Sequence, residues 1–267
     1  MAEADNAERS EVQRDIVTAG PLARLAALLD RGAPSGREVP ALGHWLFTLP
    51  DARQSALGVD GHPIGTGLVP NPPAPRRMWA GSRILFPGTL IVGDAIERRS
   101  SVASTTPKGA MSFVTLRHEI VARGAVCVIE EQDIVYLPAR RSDDVAAPAK
   151  PVAIPEATST RRMTADSALL FRFSALTFNA HRIHFDRDYA RDVEHYPGLV
   201  VHGPLLATLL VDHARRGASK ARVTAFDFRV RAPVFDGEAF DLCRNGDDLW
   251  VCKADGSIAM TACISFA

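Results

Sequence analysis

The run Pro204-Leu205-Leu206-Ala207-Thr208-Leu209-Leu210-Val211 constrains the fold more than any other stretch. It opens at a Gly-Pro step, and proline suits the first turn of a helix, where its missing N–H costs nothing. The segment is apolar on nearly every side until Asp212, so this helix belongs inside the protein rather than on its surface. A helix of that kind must be surrounded. The residues that follow supply the wrapping, with strand-like runs at 221–230, 237–243, 249–254 and 257–266.

The same order of elements occurs earlier in the chain. Residues 1–11 read as a frayed polar start. Residues 16–29 have helical spacing from Pro21 onward, ending near Gly32, and 40–49 form a shorter helix candidate. Residues 50–76 are loop, rich in glycine and proline. Strands are predicted at 78–86, 89–100, 111–122 and 126–137, with turns at Pro87-Gly88, Pro107-Lys108-Gly109 and Arg123-Gly124. Each half is therefore a helical portion followed by about four antiparallel strands. Leu90-Ile91-Val92-Gly93-Asp94 matches Val234-Phe235-Asp236-Gly237-Glu238, and Leu42-Gly43-His44-Trp45 matches Val201-His202-Gly203-Pro204 loosely. The fold expected is α+β, a double hot-dog in which antiparallel sheets wrap buried helices. Its parts are a first hot-dog at 1–137, a Pro/Ala-rich linker at 138–164 and a second hot-dog at 165–267.

Between linker and buried helix, Phe171-Arg172-Phe173-Ser174-Ala175 reads as a strand stopping at Thr177 or Asn179, both good N-caps. A short helix through His181, Ile183 and His184 follows, then a loop closed by Tyr196-Pro197-Gly198. A histidine-bearing turn beside a buried helix with free N–H groups is a plausible oxyanion-stabilising site.

Composition narrows the function classes. Lysine plus arginine number 31 and aspartate plus glutamate 31, so no global field favours nucleic acid or an anionic membrane. Cys127, Cys243, Cys252 and Cys263 form no CxxC pair and read as free thiols in a reducing compartment. No run reaches the ~18 apolar residues of a membrane span. The expectation is a soluble cytoplasmic protein.

The run Ile183-His184-Phe185-Asp186-Arg187-Asp188-Tyr189-Ala190 resembles the second half of the MaoC-like hydratase motif, in words Asp-x-Asn-Pro-Leu/Ile-His-x-Asp followed by Tyr-Ala. SALTFNAHRIHFD with GLVVHGPLLATLL is similar to the hydroxyacyl-thioester dehydratase type 2 branch, which includes itaconyl-CoA and mesaconyl-C4-CoA hydratases. The likeness extends through Gly43-His44-Trp45, Val59-Asp60-Gly61-His62-Pro63 and Pro75-Arg76-Arg77-Met78-Trp79-Ala80-Gly81. It implies reversible hydration of a short enoyl-CoA thioester, a branched dicarboxylic one giving citramalyl-CoA, in an enzyme without metal or cofactor; a homodimer is left open as its oligomer. Aligning Asp30 with Asp186 puts Leu28 where His184 stands, so one active site per chain is expected.

The resemblance implies roles for particular residues. His184 is the acid–base group, since histidine titrates near neutrality. This chain has Asn179 at the motif's aspartate, His181 at its asparagine and Arg182 at its proline. Asn179 or His181 then helps His184 by orienting water, because an amide cannot act as a base. Gly203 is the oxyanion donor or simply a helix cap; glycine admits close approach, and a helix N-terminus favours negative charge. His202 contacts substrate or braces the turn. Arg182 clamps the free carboxylate of the substrate or pairs with Asp186 or Asp188. Arg76 and Arg77 beside Trp79 hold the CoA phosphates or line a solvated strand edge. His181 and His184 with Asp186 have spacing compatible with a metal, but no further ligand cluster joins them. The alternatives to a CoA hydratase are a 3-hydroxyacyl-ACP dehydratase and a non-catalytic acyl-thioester-binding protein.

Overall fold

Five antiparallel strands with helices build each of two units in the computed structural model, which describes residues 9–64, 67–69, 72–139, 155–217 and 221–267. The first unit comprises residues 1–139 with 175–180, and the second 140–174 with 181–267. The first contains β1 (Ser10–Ile16), α1 (Ala19–Leu28), β2 (Arg76–Leu85), β3 (Ala95–Lys108), β4 (Met111–Ala122) and β5 (Ala125–Leu137), in sheet order β1-β3-β4-β5-β2. Next along the chain come β6 (Ser159–Thr164), α2 (Ser167–Thr177), α3 (Gly203–Gly217), β7 (Val223–Val230), β8 (Ala239–Asn245), β9 (Asp248–Lys253) and β10 (Ile258–Phe266). Their sheet order is β6-β8-β9-β10-β7, the same winding repeated.

Backbone bonds give the repeat its register. Gly93 N donates to Val17 O and Gly237 N to Ala165 O, both at 2.8 Å, and both glycines have positive φ, 101° and 78°. Asp94 Oδ2 accepts from Ile91 N at 2.9 Å, and Glu238 Oε2 accepts from Phe235 N at 3.2 Å. The pairing of Leu90-Ile91-Val92-Gly93-Asp94 with Val234-Phe235-Asp236-Gly237-Glu238 therefore holds. The looser match does not. Val39 N bonds Leu90 O as Val201 N bonds Val234 O, so Val39, not Leu42, is the counterpart of Val201.

The Asp30–Asp186 alignment is also corrected. Asp30 and Phe178 both leave a helix with left-handed backbone, φ 52° and 48°, and are the true equivalents. Nine residues then lead from Asp30 to Val39, where twenty-three lead from Phe178 to Val201. The first unit lacks a counterpart to His184 because it lacks the segment that carries it.

Three local expectations change. Residues 159–164, expected in the linker, are β6, paired with β8; residues 140–154 of that linker lie outside the described residues. Phe171–Ala175 is helix, not strand. Asp166 Oδ1 caps it by accepting from Leu169 N at 2.8 Å, and Leu170, Phe173 and Leu176 bury one helical stripe. Residues 40–49 form only the 3₁₀ turn Gly43–Leu46. At Gly43 a Cβ would lie 2.8 Å from Val39 Cγ1, so any larger residue must push that side chain aside.

α3 is the buried helix that the sequence demanded: Leu205, Leu206, Ala207, Leu209, Leu210, Val211 and Ala214 are all inside. It packs on β8, β9 and β10, and each large apolar side chain removed from water is worth about 1.5–3 kcal/mol. The first unit has no such helix among its described residues, and its sheet changes accordingly. By register, Arg98, His118 and Glu130 occupy the positions of Leu242, Leu249 and Ala262. Glu130, 2% exposed, accepts from His44 Nε2 (3.1 Å), Trp45 Nε1 (3.0 Å) and Ser82 Oγ (2.8 Å). Burial opposes its charge, but these donors, His44 first, hold its carboxyl down at about 2.

Candidate active site

The IHFD run owes its shape to its own charges. Asp186 Oδ1 accepts from Tyr189 N at 3.0 Å and starts the turn Tyr189–Val193. Its Oδ2 takes both Arg182 Nε (2.9 Å) and Nη2 (2.7 Å), and the guanidinium lies 4.2 Å over the Tyr189 ring. The backbone bond from Tyr189, then Arg182, keeps the Asp186 carboxyl below its ordinary range. Arg182 thus makes the ion pair with Asp186.

The loop before α3 is fastened from the other side. Val200 N donates to Ile183 O at 2.9 Å, and Val200 bridges to Phe235. Asp236 Oδ1 accepts from Leu199 N (2.8 Å) and from Arg187 Nη1 (3.2 Å). Gly198 makes this possible, since a Cβ there would stand 2.7 Å from Asp236 Oδ1. Gly198→Ala is expected to push that carboxylate aside and destabilise the protein by about 1–3 kcal/mol, the usual penalty for orphaned buried partners. Thermal or urea denaturation measures it.

His184 is 8% exposed and its Nδ1 lies 2.7 Å from Val200 O. A carbonyl oxygen only accepts, so Nδ1 must carry a proton. The neutral ring then keeps its lone pair on Nε2, the form a general base requires. His181 meets it edge-on at 5.3 Å, and His202 stacks on it at 3.7 Å with 20° between the planes. His202 has no exposed surface, and its Nε2 lies 2.8 Å from Ser174 Oγ. Burial first, then the neighbouring His184 and His181, drives the His202 pKa well below its ordinary value, so the ring is neutral. A ring that reaches no open surface does not touch substrate from this position; of its two roles, bracing is the one the geometry supports.

α3 begins at Gly203, directly after His202, whose carbonyl accepts from Leu206 N at 3.1 Å. The first N–H groups of a helix have no partner within it, and the macrodipole places partial positive charge there. Gly203 itself is half-buried.

The other expected residues belong to the first unit. Asn179 is half-buried two residues past the end of α2; it caps no helix, since His181 holds the N-cap position of the turn Arg182–His184 and Thr177 ends α2. Arg76 and Arg77 open β2 in the first unit, opposite Leu137 and Tyr136. Trp79 gives its Nε1–H to Gly81 O (3.0 Å) and Ser82 Oγ (2.9 Å) and sets its ring edge-on to Trp45 at 5.3 Å. Ser174 was missed. The helical spacing of Leu170, Phe173, Ser174 and Thr177 was the signal that could have placed it on a buried face.

The family model for hydroxyacyl-thioester dehydratase type 2 matches residues 42–236. The chain is 44% identical over 267 residues to the mesaconyl-C(4)-CoA hydratase of Chloroflexus aurantiacus, covering 95% of this chain and 94% of that one. Among solved structures, HtdX of Mycobacterium tuberculosis is similar with a TM-score of 0.72 at 17% identity, covering 97% of this chain and 100% of that one. Another Mycobacterium tuberculosis protein, described as having a double hotdog fold, is similar with a TM-score of 0.55 at 16% identity, covering 98% and 97%. The fold is the double hot-dog.

Proposed function

The chain belongs to the hydroxyacyl-thioester dehydratase type 2 family, and on that premise we propose that it reversibly hydrates a short enoyl-CoA, the branched dicarboxylic mesaconyl-C4-CoA or itaconyl-CoA, to citramalyl-CoA. The observation that carries the reading is the His184 tautomer, fixed by its Nδ1–H bond to Val200 O.

In the hydration of mesaconyl-C4-CoA, whose double bond is conjugated with the thioester, Nε2 of His184 takes a proton from water as the water oxygen bonds to the β-carbon. The C=C pair shifts to give an enolate, whose oxygen is met by the N–H of Gly203 at the start of α3. The proton on Nε2 then passes to the α-carbon, which restores the neutral histidine. His181, edge-on to His184 at 5.3 Å, orients the water. Dehydration is the same path reversed.

Arg182, held by Asp186, shapes the turn rather than reading the substrate carboxylate. Arg182→Met is expected to change kcat/KM for mesaconyl-C4-CoA and for crotonyl-CoA by the same factor, within about twofold, because an exposed pair of this kind contributes only about 0–1 kcal/mol. A selective loss on the dicarboxylic substrate, measured side by side, would return the clamp role to Arg182.

CoA is proposed as the carrier, with Arg76 and Arg77 as the phosphate-binding candidates. The same acyl group presented on CoA and on acyl carrier protein tests this; faster turnover on the carrier protein would favour the fatty-acid dehydratase reading. The four cysteines are free thiols, as a reducing cytoplasm would leave them. Among the described residues no helix is long and apolar enough to cross a membrane. A homodimer completes the proposal, and light scattering tests it.

A further inference from the structure

We infer that Ser174 is a positioning residue for the reaction, acting on His184 through the ring of His202; this rests on the hydratase reading above. The case is geometric. Ser174 lies on the buried stripe of α2 with Leu170 and Phe173, so its hydroxyl is held on a rigid element. Its Oγ is 2.8 Å from His202 Nε2, which fixes the rotation of that ring in its own plane. The edge-to-face contact of Phe173 with His202, at 5.0 Å, holds the ring as well.

With its rotation set, the His202 face lies nearly parallel to His184 at 3.7 Å. His184 is then gripped at two points, at Nδ1 by Val200 O and across its face by His202. Two contacts of this kind leave one orientation for the Nε2 lone pair. That orientation matters, since displacement of a reacting group by about 1 Å can lower a rate by roughly a hundredfold.

A histidine is a poor choice for filling a core site, because an imidazole needs polar partners that an apolar side chain does not. Here the ring has no exposed surface, and its Nδ1 has no hydrogen-bond partner. Retaining an imidazole under those conditions fits a planar ring that one hydrogen bond can lock, which phenylalanine or leucine cannot offer. His202 also stays neutral beside a histidine that must gain and lose a proton, so the shuttled proton has one residence.

The test uses the full chain with Ser174→Ala and Ser174→Thr, reading kcat and KM for the hydrated enoyl-CoA together with imidazole nitrogen NMR. Ser174→Ala is expected to lower kcat about tenfold with KM within about twofold, the signature of lost orientation rather than lost binding. Ser174→Thr, which keeps the hydroxyl, should recover most of the rate. In the spectrum the wild type should show one tautomer for His202, and Ser174→Ala an average of two with shifted His184 resonances. An unchanged tautomer in Ser174→Ala overturns the proposal, and so does equal loss in the alanine and threonine variants. The spectra need no substrate, so a wild type that hydrates nothing would defeat the hydratase reading while the tautomer result still decides the link between Ser174 and His202.

Discussion

Replacing His184 by alanine is expected to lower enoyl-thioester turnover at least a hundredfold in a protein that still folds. A general acid–base group contributes about 10²–10⁴ in rate, and the carbonyl of Val200 pins the proton of His184 on Nδ1 and leaves Nε2 for that work. His202 cannot substitute, since it is fully buried and held neutral. The variant also loses one hydrogen bond and a stacked ring, so its stability should fall by about 1–3 kcal/mol, and rates must be compared at equal folded fraction. Turnover within a few-fold of the wild type in the folded variant would remove His184 from the chemistry.

Removing the Glu130 carboxylate should be the most damaging change to stability. Glu130→Ala leaves His44, Trp45 and Ser82 without their shared buried acceptor, and breaking such a buried arrangement costs about 3–5 kcal/mol. Acid attacks the same part of the first unit. Burial holds His118 at about 4 against its ordinary 6.5, so the unfolded chain takes up a proton that the folded chain refuses between those values. Stability therefore falls as the pH drops from 6.5 towards 4, by about 3 kcal/mol for a gap of that size. The Glu130 carboxyl, held at about 2 against an ordinary 4.5, adds stability that is present above 4.5 and is lost as the pH falls towards 2. Both slopes have the same sign. Urea midpoints measured at pH 7 and pH 4.5 should drop together with the pH, and Glu130→Ala should start low already at pH 7. A wild-type midpoint unchanged between the two would contradict this assignment.

The sequence revealed α3 and eight of the ten strands because these carry simple patterns: a helix apolar all round, and alternation bounded by Gly-containing turns; β1 begins in residues that read as a frayed start, and β6 lies in residues that read as linker. It hid α2 for a physical reason. Phe171-Arg172-Phe173 alternates like a strand, and the capping Asp166 sits just past residues that read as linker. The inward-facing Arg98, His118 and Glu130 were equally illegible, since alternation does not say which face is inside when the packing helix is missing. His184 and Gly203 were named from the motif, whereas the Ser174–His202 contact links residues 28 apart and has no local signal. Arg182 shows the opposite case: its i,i+4 spacing from Asp186 is legible in the sequence, and the ion pair forms.

The most direct measurement is the change in enoyl-thioester absorbance when the purified chain meets mesaconyl-C4-CoA, with crotonyl-CoA and a carrier-protein thioester in parallel. The expected result is loss of the chromophore on mesaconyl-C4-CoA, a product heavier by one water, and no such loss with His184→Ala. A folded wild type that consumes none of the thioesters would contradict the hydratase reading and leave the chain a thioester-binding double hot-dog.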